Sequence, residues 1–171
     1  YNQSAQPDGT AVAVFPTPTI GMVGVLENRK DHMSLDFKEK GELLFLMGEV
    51  TSCMNASEYL STIVGVDRSP APYLNLEMEG RVHEGVRTAI KRGCVQAVHD
   101  VADGGLFVTL LEMGMPRGLG FDIVTDDEIR LDAFLFGEGQ GRIVVSCTEI
   151  QQDTFLDVIE EFDLPVILLG H

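Results

Sequence analysis

The stretch HDVADGGLFVTLLEMG, residues 99–114, decides the fold because it joins a strand pattern to a helix pattern through two adjacent glycines. The segment CVQAVHDV, residues 94–101, is short and apolar like a strand, and GLFVTLLEMG predicts a helix buried over much of its circumference. Gly104 and Gly105 permit the positive φ angles that a tight turn needs. A strand that passes directly into a buried helix predicts a layered α/β protein.

The alternation of strand and helix patterns continues along the chain. Strands are predicted for six apolar runs: residues 19–27, 42–50, 94–101, 119–125, 141–148 and 165–170. Helices are predicted for five segments: residues 56–65, 74–93, 105–114, 130–137 and 149–163. We therefore expect a single α/β domain with a mixed sheet over residues 19–171, preceded by an N-terminal arm, residues 1–18.

Charge and composition narrow the classes of partner. The chain has 171 residues, with 27 Asp and Glu against 12 Lys and Arg, which gives a net charge of −15. A surface this acidic argues against nucleic-acid binding, whereas a few local donors are enough for a small phosphorylated ligand. No apolar run approaches the roughly 20 residues of a membrane span, so we expect no membrane partner.

The three cysteines predict neither a disulfide framework nor a zinc site. Cys53, Cys94 and Cys147 are an odd set without CxxC spacing, and none lies in a pattern typical of a nucleophile. We expect structural thiols in a protein of the reducing cytoplasm.

The loop in front of the buried helix is the main candidate site. Asp103, Gly104 and Gly105 precede a helix N-terminus, whose free N–H groups and dipole attract anions, and His99 and Asp100 flank them. In the other interpretation Asp103 caps the helix with its own carboxylate. No Lys-Ser/Thr pair follows in P-loop register, so the sequence leaves both interpretations open.

A second glycine-rich loop, FGEGQGR at residues 136–142, leads into a strand instead of a helix. Without a helix N-terminus it is a weaker phosphate cradle, and a tight turn is the favoured interpretation. Its charged residues, Glu138 and Arg142, are candidates to pair with each other or to meet a partner domain.

The ordered motifs PTPTIGMVG, FKEKGELLFLMG, SEYL, HDVADGGLFVTLLEM, LFGEGQGRIVVS and PVILLG resemble phosphoribosylformylglycinamidine synthase over nearly the whole chain. The similar region is the C-terminal domain of the second half of the large synthetase subunit, in the small, multi-subunit type. The resemblance implies a three-layer α/β/α fold with a mixed sheet, like the C-terminal domain of aminoimidazole ribonucleotide synthetase. The stretch VTSCMNASEYL departs from the family pattern, which has small residues and glycine before SEYL.

The resemblance also implies a function. The family is an ATP-dependent carbon–nitrogen ligase of purine biosynthesis, which converts formylglycinamide ribonucleotide and glutamine-derived ammonia to the amidine. ATP and magnesium are implied for the intact enzyme, with neither a catalytic residue nor a metal ligand in this chain, which alone is expected to be inactive. The implied partners are upstream domains of the same polypeptide, a glutaminase and small accessory subunits. An apolar patch exposed by their absence is expected to promote self-association.

Two other functions stay open at this point. The chain could be a stand-alone nucleotide-binding or regulatory module, or part of another ATP-dependent synthetase or kinase of the same superfamily. PTPTIGMVG favours the ligase.

Overall fold

The computed structural model describes residues 3–5, 7–13, 18–125 and 128–171. Residues 1–2, 6 and 14–17 of the predicted arm lie outside this part of the chain. The strands are β1 (Gln3–Ala5), β2 (Ala11–Ala13), β3 (Leu43–Met47), β4 (Ala97–Asp100), β5 (Ile143–Cys147) and β6 (Val166–Gly170). The α-helices are α1 (Leu76–Arg92), α2 (Gly105–Gly114), α3 (Leu131–Phe136) and α4 (Gln152–Glu161). No helix among the described residues is both long and apolar enough to cross a membrane.

The main sheet has the strand order β4-β5-β3-β6, and β1 pairs separately with β2. The α/β class is confirmed, but every described strand pair is antiparallel, so the expectation of a mixed sheet is wrong. The reason is visible between β4 and β5. Between β4 and β5 the chain passes through two helices, α2 and α3. It then re-enters the sheet beside the end it left, so that Asp100, the last residue of β4, pairs with Ile143, the first residue of β5.

Helices cover both faces of the sheet, which confirms the three layers. Helices α1 and α4 pack on one face and α2 and α3 on the other, and each pair buries its own apolar cluster. Strand β3 contributes to both clusters, because its side chains alternate between the faces. Phe45 and Met47 lie in the first cluster, and Leu44 and Leu46 in the second. The prediction of a strand buried on both faces is therefore confirmed.

Local capping explains the bounds of the longest helix. The Asn75 side chain accepts hydrogen bonds from the amides of Glu77 and Met78, at 3.2 Å each, and so starts α1. Gly93 ends it in the left-handed region, with φ of 66°. This helix is confirmed, as is the shorter one predicted before Gly65, which is a π-helical segment, Tyr59–Val64.

Of the predicted strands, one is wrong and another is formed only in part. Residues 19–27 have no regular structure, and Val23 in their centre is 99% exposed. Of residues 119–125, only 122–124 lie along β6: Asp122 exchanges backbone hydrogen bonds with His171, the Val124 amide donates to Leu169, and Ile123 bridges Gly170 between them. A strand needs a neighbour along its length, and of these two runs only residues 122–124 have one among the described residues.

Candidate functional site

Three loops converge at the N-terminus of α2. They are the glycine turn before α2, the loop at residues 137–142 after α3, and the loop at residues 51–58 before the π-helical segment. The loops at residues 137–142 and 51–58 approach so closely that position 137 has no room for a side chain. A Cβ atom on Gly137 would lie 2.7 Å from the carbonyl oxygen of Cys53. The two glycine-rich motifs, far apart in sequence, therefore belong to one loop cluster.

A carboxylate from the second glycine-rich loop joins the other two. Glu138 Oε1 accepts a hydrogen bond of 2.8 Å from the Gly104 amide and another of 2.8 Å from the Glu58 amide. Gly104 is the N-cap residue of α2 and has φ of 88°, a conformation that favours glycine. The acceptor for the Gly104 amide thus comes from 34 residues further along the chain.

The structure corrects the interpretation of Asp103 as the capping residue. The cap position belongs to Gly104, and no side chain within the cap makes a capping hydrogen bond. Asp103 is exposed, and its carboxylate forms no hydrogen bond or ion pair with any described residue. The turn at Gly104 places Asp103 outside the helix, and Glu138 binds the amide of the N-cap residue itself.

Gly105 is required by packing within the chain. Its φ is +73°, and a Cβ atom there would lie 2.7 Å from the backbone of Phe136. Its amide donates to the Ala102 carbonyl oxygen at 3.0 Å. The amides of Gly104 and Gly105, both candidates to bind phosphate, therefore already have protein acceptors, and the close approach predicted for a ligand is made by α3.

Arg142 shapes the loop that carries Glu138. The side chain is only 4% exposed, and its guanidinium donates to the carbonyl oxygens of Gly137 and Gly139. Burial lowers the pKa of Arg142, and the nearby Glu138 opposes that shift. No ion pair joins Arg142 to Glu138 among the described residues, so the predicted pairing is replaced by a hydrogen-bonded turn.

His99 and Asp100 lie on the edge strand β4, and their side-chain partners are outside the glycine turn. His99 Nε2 lies 2.9 Å from the Glu112 carboxylate, and its Nδ1 lies 3.2 Å from that of Asp100. No described hydrogen bond joins either residue to Gly104 or Gly105. The five candidate residues are thus neighbours in space, but they do not form one constellation.

An apolar cavity of about 420 Å³ adjoins the loop cluster. The rings of Tyr59 and Phe136 stack beside it, with centroids 5.1 Å apart and planes 9° from parallel. The lining residues are Glu58, Tyr59, Thr62, Ile63, Gly104, Val108 and Phe136. Local sequence patterns did not identify this cavity, because its walls come from three separate segments.

The described residues do not offer a metal site. No three His, Cys, Asp or Glu side chains within residues 3–5, 7–13, 18–125 and 128–171 come together to hold an ion. Cys94 and Cys147 are buried, and burial raises the pKa of both thiols, that of Cys147 to about 11. Neither is activated as a nucleophile.

The fold is a three-layer α/β/α domain in which glycine-rich loops meet at the start of α2. The chain belongs to the family of AIR synthase related proteins: its residues 39–171 match the model of the C-terminal domain of that family. It is 36% identical over 171 residues to phosphoribosylformylglycinamidine synthase subunit PurL of Parvibaculum lavamentivorans, and the match covers 99% of this chain.

Solved structures show the same fold. PurL of Thermotoga maritima complexed with FGAR superposes with a TM-score of 0.71 at 14% identity, over 84% of this chain and 26% of that one. The same protein complexed with ATP gives 0.65 at 14% identity, over 84% and 23%. The chain spans only 23% of the length of the Parvibaculum PurL subunit that it matches.

Proposed function

We propose that this chain serves as the C-terminal domain of a phosphoribosylformylglycinamidine synthase subunit. In that enzyme it takes part in the ATP-dependent conversion of formylglycinamide ribonucleotide and glutamine-derived ammonia to the amidine. The observation that carries the proposal is the 36% identity to a PurL subunit over 99% of the chain. The match to the C-terminal domain family over residues 39–171 agrees with this position.

The loop cluster bears on whether ATP and magnesium bind to this domain or to the rest of the enzyme. Gly104 and Gly105 have protein acceptors for their amides, and the described residues hold no metal cluster. ATP and magnesium are therefore proposed to bind mainly outside this domain. Gly104, Gly105, Asp103, His99 and Asp100 stay candidates to face a ligand. A ligand can bind the Gly104 amide only after Glu138 leaves it, and the Gly105 amide only after its bond to the Ala102 carbonyl oxygen breaks.

The exposed apolar segment at residues 20–26 is the proposed contact with the other domains. Its five large apolar side chains are 61–99% exposed: Ile20, Met22, Val23, Val25 and Leu26. A continuous apolar surface of this kind marks an interaction site. We propose that residues 1–18 and this segment connect to upstream domains, and that the glutaminase and small accessory subunits bind the assembled enzyme.

A hybrid enzyme tests the proposal. The chain alone, given formylglycinamide ribonucleotide, ATP and ammonium, should release ADP only at background rate. When it replaces the matching quarter of the Parvibaculum PurL, turnover should exceed that of PurL truncated before this domain. A folded hybrid no more active than the truncated protein would contradict the proposed function. Clear turnover by the chain alone would contradict the proposal that ATP and magnesium bind mainly outside this domain.

A further inference from the structure

We propose that Glu138 is a resident anion: its carboxylate holds the amide of the α2 N-cap residue, Gly104, together with that of Glu58, and keeps external phosphate and carboxylate ions away from these two amides. The inference goes beyond the proposed function and does not depend on it, since it concerns a competition within the loop cluster. It identifies a self-closing contact that any oxyanion must displace to reach the Gly104 amide.

The geometry of the carboxylate is that of a bound oxyanion. One oxygen, Oε1, accepts from Gly104 and from Glu58, at 2.8 Å each. The two amides belong to different loops, so the carboxylate bridges segments that are not otherwise joined by a hydrogen bond at this point. Backbone amides at the start of a helix hold phosphate oxygens by the same charge-assisted bonds.

The charge of Glu138 is balanced by amides instead of a side-chain cation. Glu138 forms no ion pair among the described residues, although it lies near the buried Arg142. Arg142 instead binds the carbonyl oxygens on either side of Glu138, those of Gly137 and Gly139. The loop is thus held in a shape that presents the carboxylate to α2.

Asp103 provides a matched control. It carries the same charge and precedes Gly104 directly, but its carboxylate forms no hydrogen bond with any described residue. Removing either acid reduces the local negative charge by one, whereas only the loss of Glu138 leaves two amides without an acceptor. Asp103→Ala therefore measures the effect of local charge alone, whereas Glu138→Ala also measures the effect of freeing the two amides.

The experiment compares the melting temperatures of wild type, Glu138→Ala, Glu138→Gln and Asp103→Ala in acetate, phosphate and chloride at equal ionic strength. Acetate and phosphate should raise the melting temperature of Glu138→Ala by about 2–4 °C more than that of wild type, Glu138→Gln or Asp103→Ala. This shift corresponds to a roughly fivefold increase in the ratio of folded to unfolded protein on anion binding. Glu138→Gln keeps an oxygen acceptor and should behave like wild type. Amide resonances of Gly104 and Glu58 should shift with acetate only in Glu138→Ala.

Equal responses of all four proteins, or acetate-induced shifts of the Gly104 and Glu58 amides in wild type, would overturn the proposal. If Glu138→Ala is unfolded in chloride, refolding by acetate or phosphate supports it. Failure of both anions to restore the fold would then count against a simple resident anion. The wild-type titration does not depend on the behaviour of any variant.

Discussion

Strand β3 and the segment at residues 20–26 are both short apolar runs, yet β3 lies at the centre of the sheet and the segment lies in solvent. β3 pairs with β5 on one side and β6 on the other, and helices cover both of its faces. The segment has no regular structure, and Val23 is 99% exposed. Both have the composition of a buried strand, but only β3 has neighbours within the described residues that satisfy its backbone and side chains.

The difference shows that apolar composition predicts that a segment gains from burial, but does not predict which partner buries it. Sheet interiors satisfy backbone groups in pairs, so a strand without partners gains little from forming. For the segment, the described residues offer no strand to pair with, and the chain spans only 23% of the length of the Parvibaculum PurL subunit. Four variants, each compared with a matched control variant, test whether packed and exposed parts of the molecule differ as described.

The largest effect is expected in β3. Leu46 is fully buried, and Leu46→Ala should reduce the free energy of unfolding by about 2–5 kcal/mol, through lost burial and the cavity left behind. The matched control is Leu26→Ala, because Leu26 is 61% exposed and should change stability by less than about 0.5 kcal/mol. Urea unfolding of both variants measures the contrast. Similar losses would mean that the segment is packed in solution.

A pair of glycines gives the next contrast. Gly105→Ala should destabilise by about 2–4 kcal/mol, because alanine at φ of +73° is strained and its Cβ atom would meet the Phe136 backbone. Gly24 lies in the segment with nothing within 4 Å of an added Cβ atom, so Gly24→Ala should be nearly neutral. Thermal unfolding distinguishes them. A neutral Gly105→Ala would show that α3 does not approach α2 so closely.

Asp36 lies between the segment and β3 in the sequence and tests a contact that depends on an ionised carboxylate. Hydrogen bonds with Ser34, Lys38 and Arg117 hold the pKa of Asp36 well below its ordinary value. A lowered carboxyl pKa contributes stability above the unfolded-state pKa of about 4, and this contribution is lost as the pH falls through the folded-state value. Asp36→Asn should therefore cost about 1–2 kcal/mol at pH 7 and less at pH 3.

Denaturant unfolding at both pH values measures the effect of Asp36→Asn. Asp31→Asn is the control, because the Asp31 side chain has no described hydrogen bond or ion pair. A difference between wild type and Asp36→Asn that does not change with pH would show that the lost stability comes from packing and not from the ionised carboxylate.

The same contrast explains which features the sequence could predict. The Asn75 cap and the Gly93 stop lie within the helix they bound, so local patterns were enough for α1. The directions of the sheet strands and the exposure of residues 20–26 depend on distant partners, and the predictions of a mixed sheet and of a strand at residues 19–27 were wrong. At the site, the glycine turn was predictable, but the Glu138 cap acts across 34 residues and leaves no local signal.

The smallest expected effect on stability is in the exposed segment itself. Met22 and Val23 are 92% and 99% exposed, so replacing both with serine should change the free energy of unfolding by less than about 0.5 kcal/mol. Their apolar surface should instead promote self-association, which the double variant should weaken. Sedimentation velocity over a concentration series measures this, with Leu111→Ser as the control for general loss of apolar surface, since Leu111 is 40% exposed on α2. A wild-type chain that stays monomeric at the highest concentration, or a double variant that associates as strongly as wild type, would show that the segment is not the associating surface.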